Sequence, residues 1–179
     1  MPRDLTTKAR LLQLLEELGQ RFPHPATVYV CGGSSLLLKG AKTASLDVDL
    51  DFEVDPRHHS EWILLLRDLK ERLNINIEEA SPRHFLPLPS DWKTRVERIG
   101  RFDQLDVFHF DPVSVALSKL ARFHAQDLED VRHMLETGMV HRDILAQAFQ
   151  EILPACEQFG LKLDPADLKR KWESFFGPK

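Results

Sequence analysis

The 179 residues are 42% hydrophobic and 29% charged, a balance that excludes a disordered or fibrous chain and fits one globular core, with or without a helical appendage. The formal net charge of -4 supplies no general attraction for a nucleic acid backbone, so such a partner has to be gripped by a local basic patch. No apolar run is long enough to span a bilayer and the opening MPRDLTTKAR carries no apolar signal core, so a soluble, cytoplasmic chain with no membrane partner is expected.

Leu5, Leu11, Leu12, Leu14, Leu15 and Leu18 recur at helical spacing until Phe22-Pro23-His24-Pro25 interrupts them, which predicts a first helix from Thr6 to Gln20. Val28 to Cys31 is a short apolar run, Gly32-Gly33 punctuates it, and Ser34 to Lys39 reads as a short helix capped by Gly40. Leu46 to Val54 alternates with period two, as a strand does. A helix over Trp62–Leu73, a brief strand over Asn76–Glu78, a proline-rich loop over Ser81–Ser90 and strands over Arg95–Ile99 and Leu105–Phe110 follow. After Asp111-Pro112 every apolar pattern has a period near that of a helix, which predicts helices at Val113–Phe123, Asp127–Glu136, Ile144–Phe159 and Ala166–Phe175. Pro112 and Pro165 suit first helical turns. The expected architecture is α+β: a small mixed β-sheet core with flanking helices over residues 1–111 and a helical part packed on it over 112–179.

In a strand, Asp47, Asp49 and Asp51 point to one face while Leu46, Val48, Leu50 and Phe52 point to the other. Like charges at that spacing repel, so either the face is a solvated edge that discourages aggregation or a cation relieves it. Paired carboxylates suit a hard, octahedral ion such as Mg²⁺, whose shell water and substrate phosphates complete. Upstream, Gly32 and Gly33 present no Cβ to an incoming ligand, and Ser34 and Ser35 open a helix whose N–H groups favour phosphate. Neither the GxGxxG of a dinucleotide turn nor the GxxxxGK[ST] of a P-loop is present.

Gly-Gly-Ser, a short helix and Asp-Val-Asp on the next strand together resemble the signature of the nucleotidyltransferase superfamily that includes DNA polymerase β. The resemblance implies that the Gly-Ser turn holds the β and γ phosphates of an NTP and that Asp47 and Asp49 hold Mg²⁺ (or Mn²⁺). It also implies a third carboxylate on a neighbouring strand, and Asp106 in Leu105-Asp106-Val107-Phe108 is the candidate, its alternative being an ordinary edge residue. The three acids would then converge on one ion. Lys119 and Arg122 share a helix face and either meet the triphosphate or form a solvated basic surface. SKLARF followed by DLEDV is similar to the minimal nucleotidyltransferases of prokaryotic toxin-antitoxin and abortive-infection systems. That similarity assigns Lys119 to the nucleotide and to catalysis with Asp47, Asp49 and Asp106, and leaves Asp127 and Asp130 competing for the acidic position that follows. Relatives often carry Arg before the first of these acids, where this chain has Gln126.

Lys42 is a further candidate for the phosphates, Thr43 and Ser45 either reach the phosphates or bond the backbone of the acidic strand, and Trp92, Lys93 and Arg95 are either neutral surface residues or candidates for a base or acceptor RNA. Adjacent His58 and His59 point apart on a helix and cannot share an ion. Cys31 and Cys156 fit no ligand pattern and are expected to be ordinary thiols. The expected function is Mg²⁺-dependent transfer of a nucleoside monophosphate from an NTP to an acceptor hydroxyl on RNA (a tRNA 3′ end) or on a protein, with a cognate toxin or antitoxin as partner. The alternative is a non-catalytic antitoxin or binding subunit of the same fold.

Overall fold

A computed structural model describes residues 4–158 and 163–177; Met1, Pro2, Arg3 and the expected helix end at Phe159 lie outside the described residues. The elements in chain order are α1 (Lys8–Arg21), β1 (Ala26–Val30), α2 (Gly32–Leu38), β2 (Asp47–Val54), α3 (His59–Arg72), β3 (Asn76–Glu79), β4 (Glu97–Phe102), β5 (Leu105–His109), α4 (Pro112–Arg122), α5 (Ala125–Glu136), α6 (Arg142–Cys156) and α7 (Pro165–Phe176). The fold is α+β. No helix among the described residues is long and apolar enough to cross a membrane.

Two compact units emerge: one holds Ser81 and the described residues before it together with Glu97–Phe110, the other Pro82–Val96 and the described residues from Asp111 onward. The expected division lies between residues 111 and 112; here Pro82–Val96 are grouped with the described residues from Asp111 onward.

In the first unit the five strands form a mixed sheet in the order β3-β2-β1-β5-β4. β1 is antiparallel to β2 and parallel to β5, β2 is parallel to β3, and β4 is antiparallel to β5. Registered partners share a face, so Val28, Val30, Val48, Leu50, Ile77, Leu105 and Val107 line one side. They are buried against Leu11, Leu14, Leu15 and Leu18 of α1 and Trp62, Leu65, Leu66 and Leu69 of α3, which repeat at helical spacing. The opposite side carries Thr27, Tyr29, Asp47, Asp49, Asp51, Glu53, Asn76, Glu78, Asp106 and Phe108.

Two boundaries depart from the sequence pattern for local reasons. Thr6 forms a bridge with Ser45 through N–H···O bonds of 2.8 and 2.9 Å, so α1 begins after Thr7, whose hydroxyl accepts from Arg10 N–H. Arg95, expected to begin a strand, ends the 3-10 turn Trp92–Arg95, and β4 starts only at Glu97. Arg95 is held there by bidentate bonds to Asp111 at 2.9 and 3.0 Å and by Asp91 at 2.5 Å.

In the second unit, α4 is buried at every position from Val113 to Leu120, as a helix hydrophobic on most sides must be. Asp111, fully buried, caps it: its carboxylate accepts from Val113 N–H, Ser114 N–H and the Ser114 hydroxyl as well as from Arg95. Phe123 ends it in the left-handed conformation at φ 62°. α6 and α7 meet through Phe149 and Trp172, whose rings stack at 4.2 Å.

Candidate functional site

The acidic stretch of β2 is tied to the glycine turn by hydrogen bonds and by close approach. Ser34 is fully buried; its hydroxyl accepts from Asp49 N–H at 3.0 Å and donates to the Asp47 carbonyl at 3.2 Å. Cys31 N–H donates to the Asp49 carbonyl at 2.9 Å. Gly32 has φ +51°, and a Cβ placed there would lie 2.6 Å from Asp49 Oδ2, so only glycine satisfies both the backbone and the contact. A Cβ on Gly33 would lie 3.3 Å from Ser45 Oγ and 3.9 Å from Lys42 Nζ. Gly32, Gly33, Ser34, Lys42, Ser45, Asp47 and Asp49 are thus brought to one end of β2. Asp47 and Asp49 are partly exposed. Asp47 Oδ1 also accepts from the Asn76 amide at 2.6 Å, which orients it. Asp51 is buried and accepts from the Ser81 hydroxyl at 2.8 Å.

Ser35 faces elsewhere. Its hydroxyl meets His109 Nδ1 at 2.8 Å. Burial first, then the Lys39 ammonium, pushes the His109 imidazole down from 6.5 to about 4, with Glu97 acting in the opposite sense. Glu97 in turn is held below its ordinary value, chiefly by the hydrogen bond from Lys39. The Ser35 N–H, expected to be open to phosphate, donates to the Cys31 carbonyl at 3.1 Å.

Asp106 shares the sheet face of Asp47 and Asp49 but not their position along the strands. It is in register with Thr27, whereas Asp49 lies level with Cys31. Those four residues separate the two acids by about 13 Å along the strand direction, before the lateral spacing is added. At the level of Tyr29 and Asp51, β5 presents Phe108 instead. Asp106 is 40% exposed and pairs with Arg98 at 3.5 Å. The expectation that three acids converge on one ion is therefore corrected: the fold brings together two, because the β1–β5 register sets Asp106 too far back.

The remaining candidates lie in the second unit, where they bind one another. Lys119 is 5% exposed, so the alternative of a solvated basic face is excluded. Its ammonium donates to Asp127 at 3.2 Å and to Asp130 at 2.8 Å. Arg122 grips Asp127 through two bonds of 3.1 and 2.7 Å, and the Gln126 amide reaches Asp130 at 3.3 Å. Burial disfavours the Asp127 carboxylate, yet Arg122 and Lys119 outweigh it and hold Asp127 below its ordinary value. Asp127 and Asp130, which compete for one role in the sequence, share one lysine. In the same unit Arg83 and Lys93 both lie over the Trp92 ring, at 5.3 and 5.4 Å from its centre.

Asn76 and His109 carry parts of the geometry that sequence reasoning did not single out. The signal for His109 was present: with Leu105 and Val107 it follows the period of two that marks the buried face. Asn76 had none, since it meets Asp47 only through the β2–β3 register.

No curated protein and no solved structure gives a significant match to the chain. A family profile does, over residues 9–177, a span that includes both the glycine turn with its paired aspartates and the lysine–carboxylate cluster. The chain belongs to the family described as nucleotidyltransferase of unknown function (DUF6036).

Proposed function

We propose that the chain is a magnesium-dependent nucleotidyltransferase that moves a nucleoside monophosphate from an NTP to an acceptor hydroxyl, on an RNA 3′ end such as that of tRNA or on a protein side chain, as one component of a toxin–antitoxin pair. The observation that carries this reading is the close approach of Gly32 to Asp49, such that a Cβ on Gly32 would lie 2.6 Å from Asp49 Oδ2, with Asp47 beside it on the same strand face. An enzyme of this kind needs ligand-accessible carboxylates next to a turn without side chains. The residues fit a hard cation: two partly exposed carboxylates offer oxygen donors, and the turn leaves their approach open. Bound by Asp47 and Asp49, Mg²⁺ (or Mn²⁺) would neutralise charge developing on the phosphates during an in-line displacement.

The chain's own groups have separate tasks. Lys42 and Ser45 flank Gly33 and supply a charge-assisted and a neutral hydrogen bond to phosphate oxygens. Ser34 is a positioning residue, since its clamp on the β2 backbone sets the two aspartates relative to the turn. Asn76 orients Asp47 in the same way.

A second reading, a non-catalytic antitoxin or binding subunit, is favoured by the displaced Asp106: β5 is level with Tyr29 and Asp51 at Phe108, and its acid lies two residues further from the Asp47–Asp49 pair. Incubation with each labelled NTP, Mg²⁺, total RNA and lysate protein separates the two. Label in one polymer, abolished by chelation and reduced at least a hundredfold by Asp49→Asn, supports the enzyme. Absence of label in both polymers, with NTP binding retained, leaves the binding subunit.

A further inference from the structure

His24, His58 and Glu61 form a cluster that neither the acidic face nor the glycine turn involves. His24 is flanked by Pro23 and Pro25, which restrict the backbone on either side. Asp55 opens the 3-10 turn Pro56–His58 by accepting from Arg57 N–H, and this turn delivers His58 to the N-cap of α3. Glu61, three residues later, lies on the same helical face. The His24 and His58 rings stack with centres 3.5 Å apart and planes 11° apart. Phe22, itself fully buried, supports His24 edge-on at 5.3 Å.

Glu61 Oε2 lies 3.2 Å from His24 Nε2 and 3.8 Å from His58 Nδ1. One ligand atom from each of the three residues lies within 4.8 Å of the others. A tetrahedral ion with bonds of about 2.1 Å sets neighbouring ligand atoms about 3.4 Å apart, within the range of these two contacts, and binding it turns the two rings out of their stack so that each nitrogen lone pair points at the ion. Two imidazoles and one carboxylate suit a borderline divalent ion, whereas the all-oxygen pair on β2 suits Mg²⁺. The side chains are 31%, 31% and 49% exposed, which leaves an entry path and room for water as a fourth ligand.

We propose that His24, His58 and Glu61 bind a divalent transition-metal ion, with zinc as the reference, and that the ion ties the segment before β1 to the start of α3. Calorimetric titration of the full chain with zinc, in excess Mg²⁺, tests it on wild type, His58→Gln, Glu61→Gln and, as a control outside the cluster, Asp49→Asn. Wild type and Asp49→Asn are expected to bind one zinc ion with equal affinity, and the two cluster variants at least tenfold more weakly. An independent measurement needs no variant: in the cobalt(II) adduct of the wild type, the ring protons of two histidines should be paramagnetically shifted. Absence of zinc binding by the wild type, equal binding by all four proteins, or fewer than two shifted histidines would overturn the site and leave a hydrogen-bonded His–Glu cluster.

Discussion

Gly32 and His109 are single residues whose chemistry the surrounding fold dictates. Replacing Gly32 by Ala forces an L side chain into the left-handed region, at about 1–2 kcal/mol, and drives its Cβ against Asp49 Oδ2. Gly32→Ala is therefore expected to lower the denaturation midpoint and to weaken Mg²⁺-dependent NTP binding. Loss of stability with metal-dependent binding unchanged would separate the turn from the acids. His109 is 8% exposed and stays neutral in the fold down to about pH 4, whereas the unfolded imidazole takes its proton near 6.5. The unfolded state then holds more protons between those values, so stability is unaffected by this group above 6.5 and declines as pH falls from 6.5 to 4. The decline amounts to about 3 kcal/mol at most. Urea denaturation at pH 7 and pH 4 should show the loss in wild type and a correspondingly smaller one in His109→Gln; parallel losses would assign the acid sensitivity to other groups.

Between elements, the link from α4 to α5 is ionic as well as apolar. Lys119 sits between Asp127 and Asp130, all three buried. Removing the one ammonium leaves two buried carboxylates near each other, with Arg122 still bonded to Asp127 and Gln126 to Asp130. Breaking a buried pair on one side typically costs about 3–5 kcal/mol, far above the half kcal/mol or so of a surface substitution. Lys119→Gln is expected to lose stability on the larger scale, read as a shift in the urea midpoint. A shift within the surface range would mean that solvent reaches the cluster. Helical spacing in the sequence placed Lys119 and Arg122 on one face and left both acids eligible. The pairing itself depends on how α5 returns against α4, and the reversal at Phe123 leaves no periodic trace.

For the whole molecule, the decisive relation is the register of β5 against β1. Asp106 is held by Arg98 at 3.5 Å, well back from the level of Asp49. Within the nucleotidyltransferase reading, Asp106→Asn is expected to change transfer by less than tenfold, while Asp49→Asn removes it. Equal losses in an assay with purified NTP and acceptor would show that Asp106 reaches the reacting groups in a conformation other than this one. The same comparison distinguishes a two-acid enzyme from a silent binding subunit, in which neither substitution alters partner capture.

Local chemistry was enough for much of this. The period of two in Leu46–Val54 put Asp47, Asp49 and Asp51 on one face, the glycines marked the passage from β1 into α2, and the leucine spacing marked α1, because each signal arises within a few neighbouring residues. The helical run after Asp111-Pro112 was legible for the same reason. Strand register, by contrast, is set by contacts between residues far apart in the chain. The sequence could show that Asp106 points to a defined face of its own strand, but only the folded sheet decided that it stands opposite Thr27 and not beside Asp49. Side-chain burial was decided at the same level, since Lys119 has the same helical pattern whether water or two carboxylates surround it. His24 and His58 likewise meet only because the segment before β1 and the turn before α3 are packed side by side, a proximity that no spacing along the chain encodes.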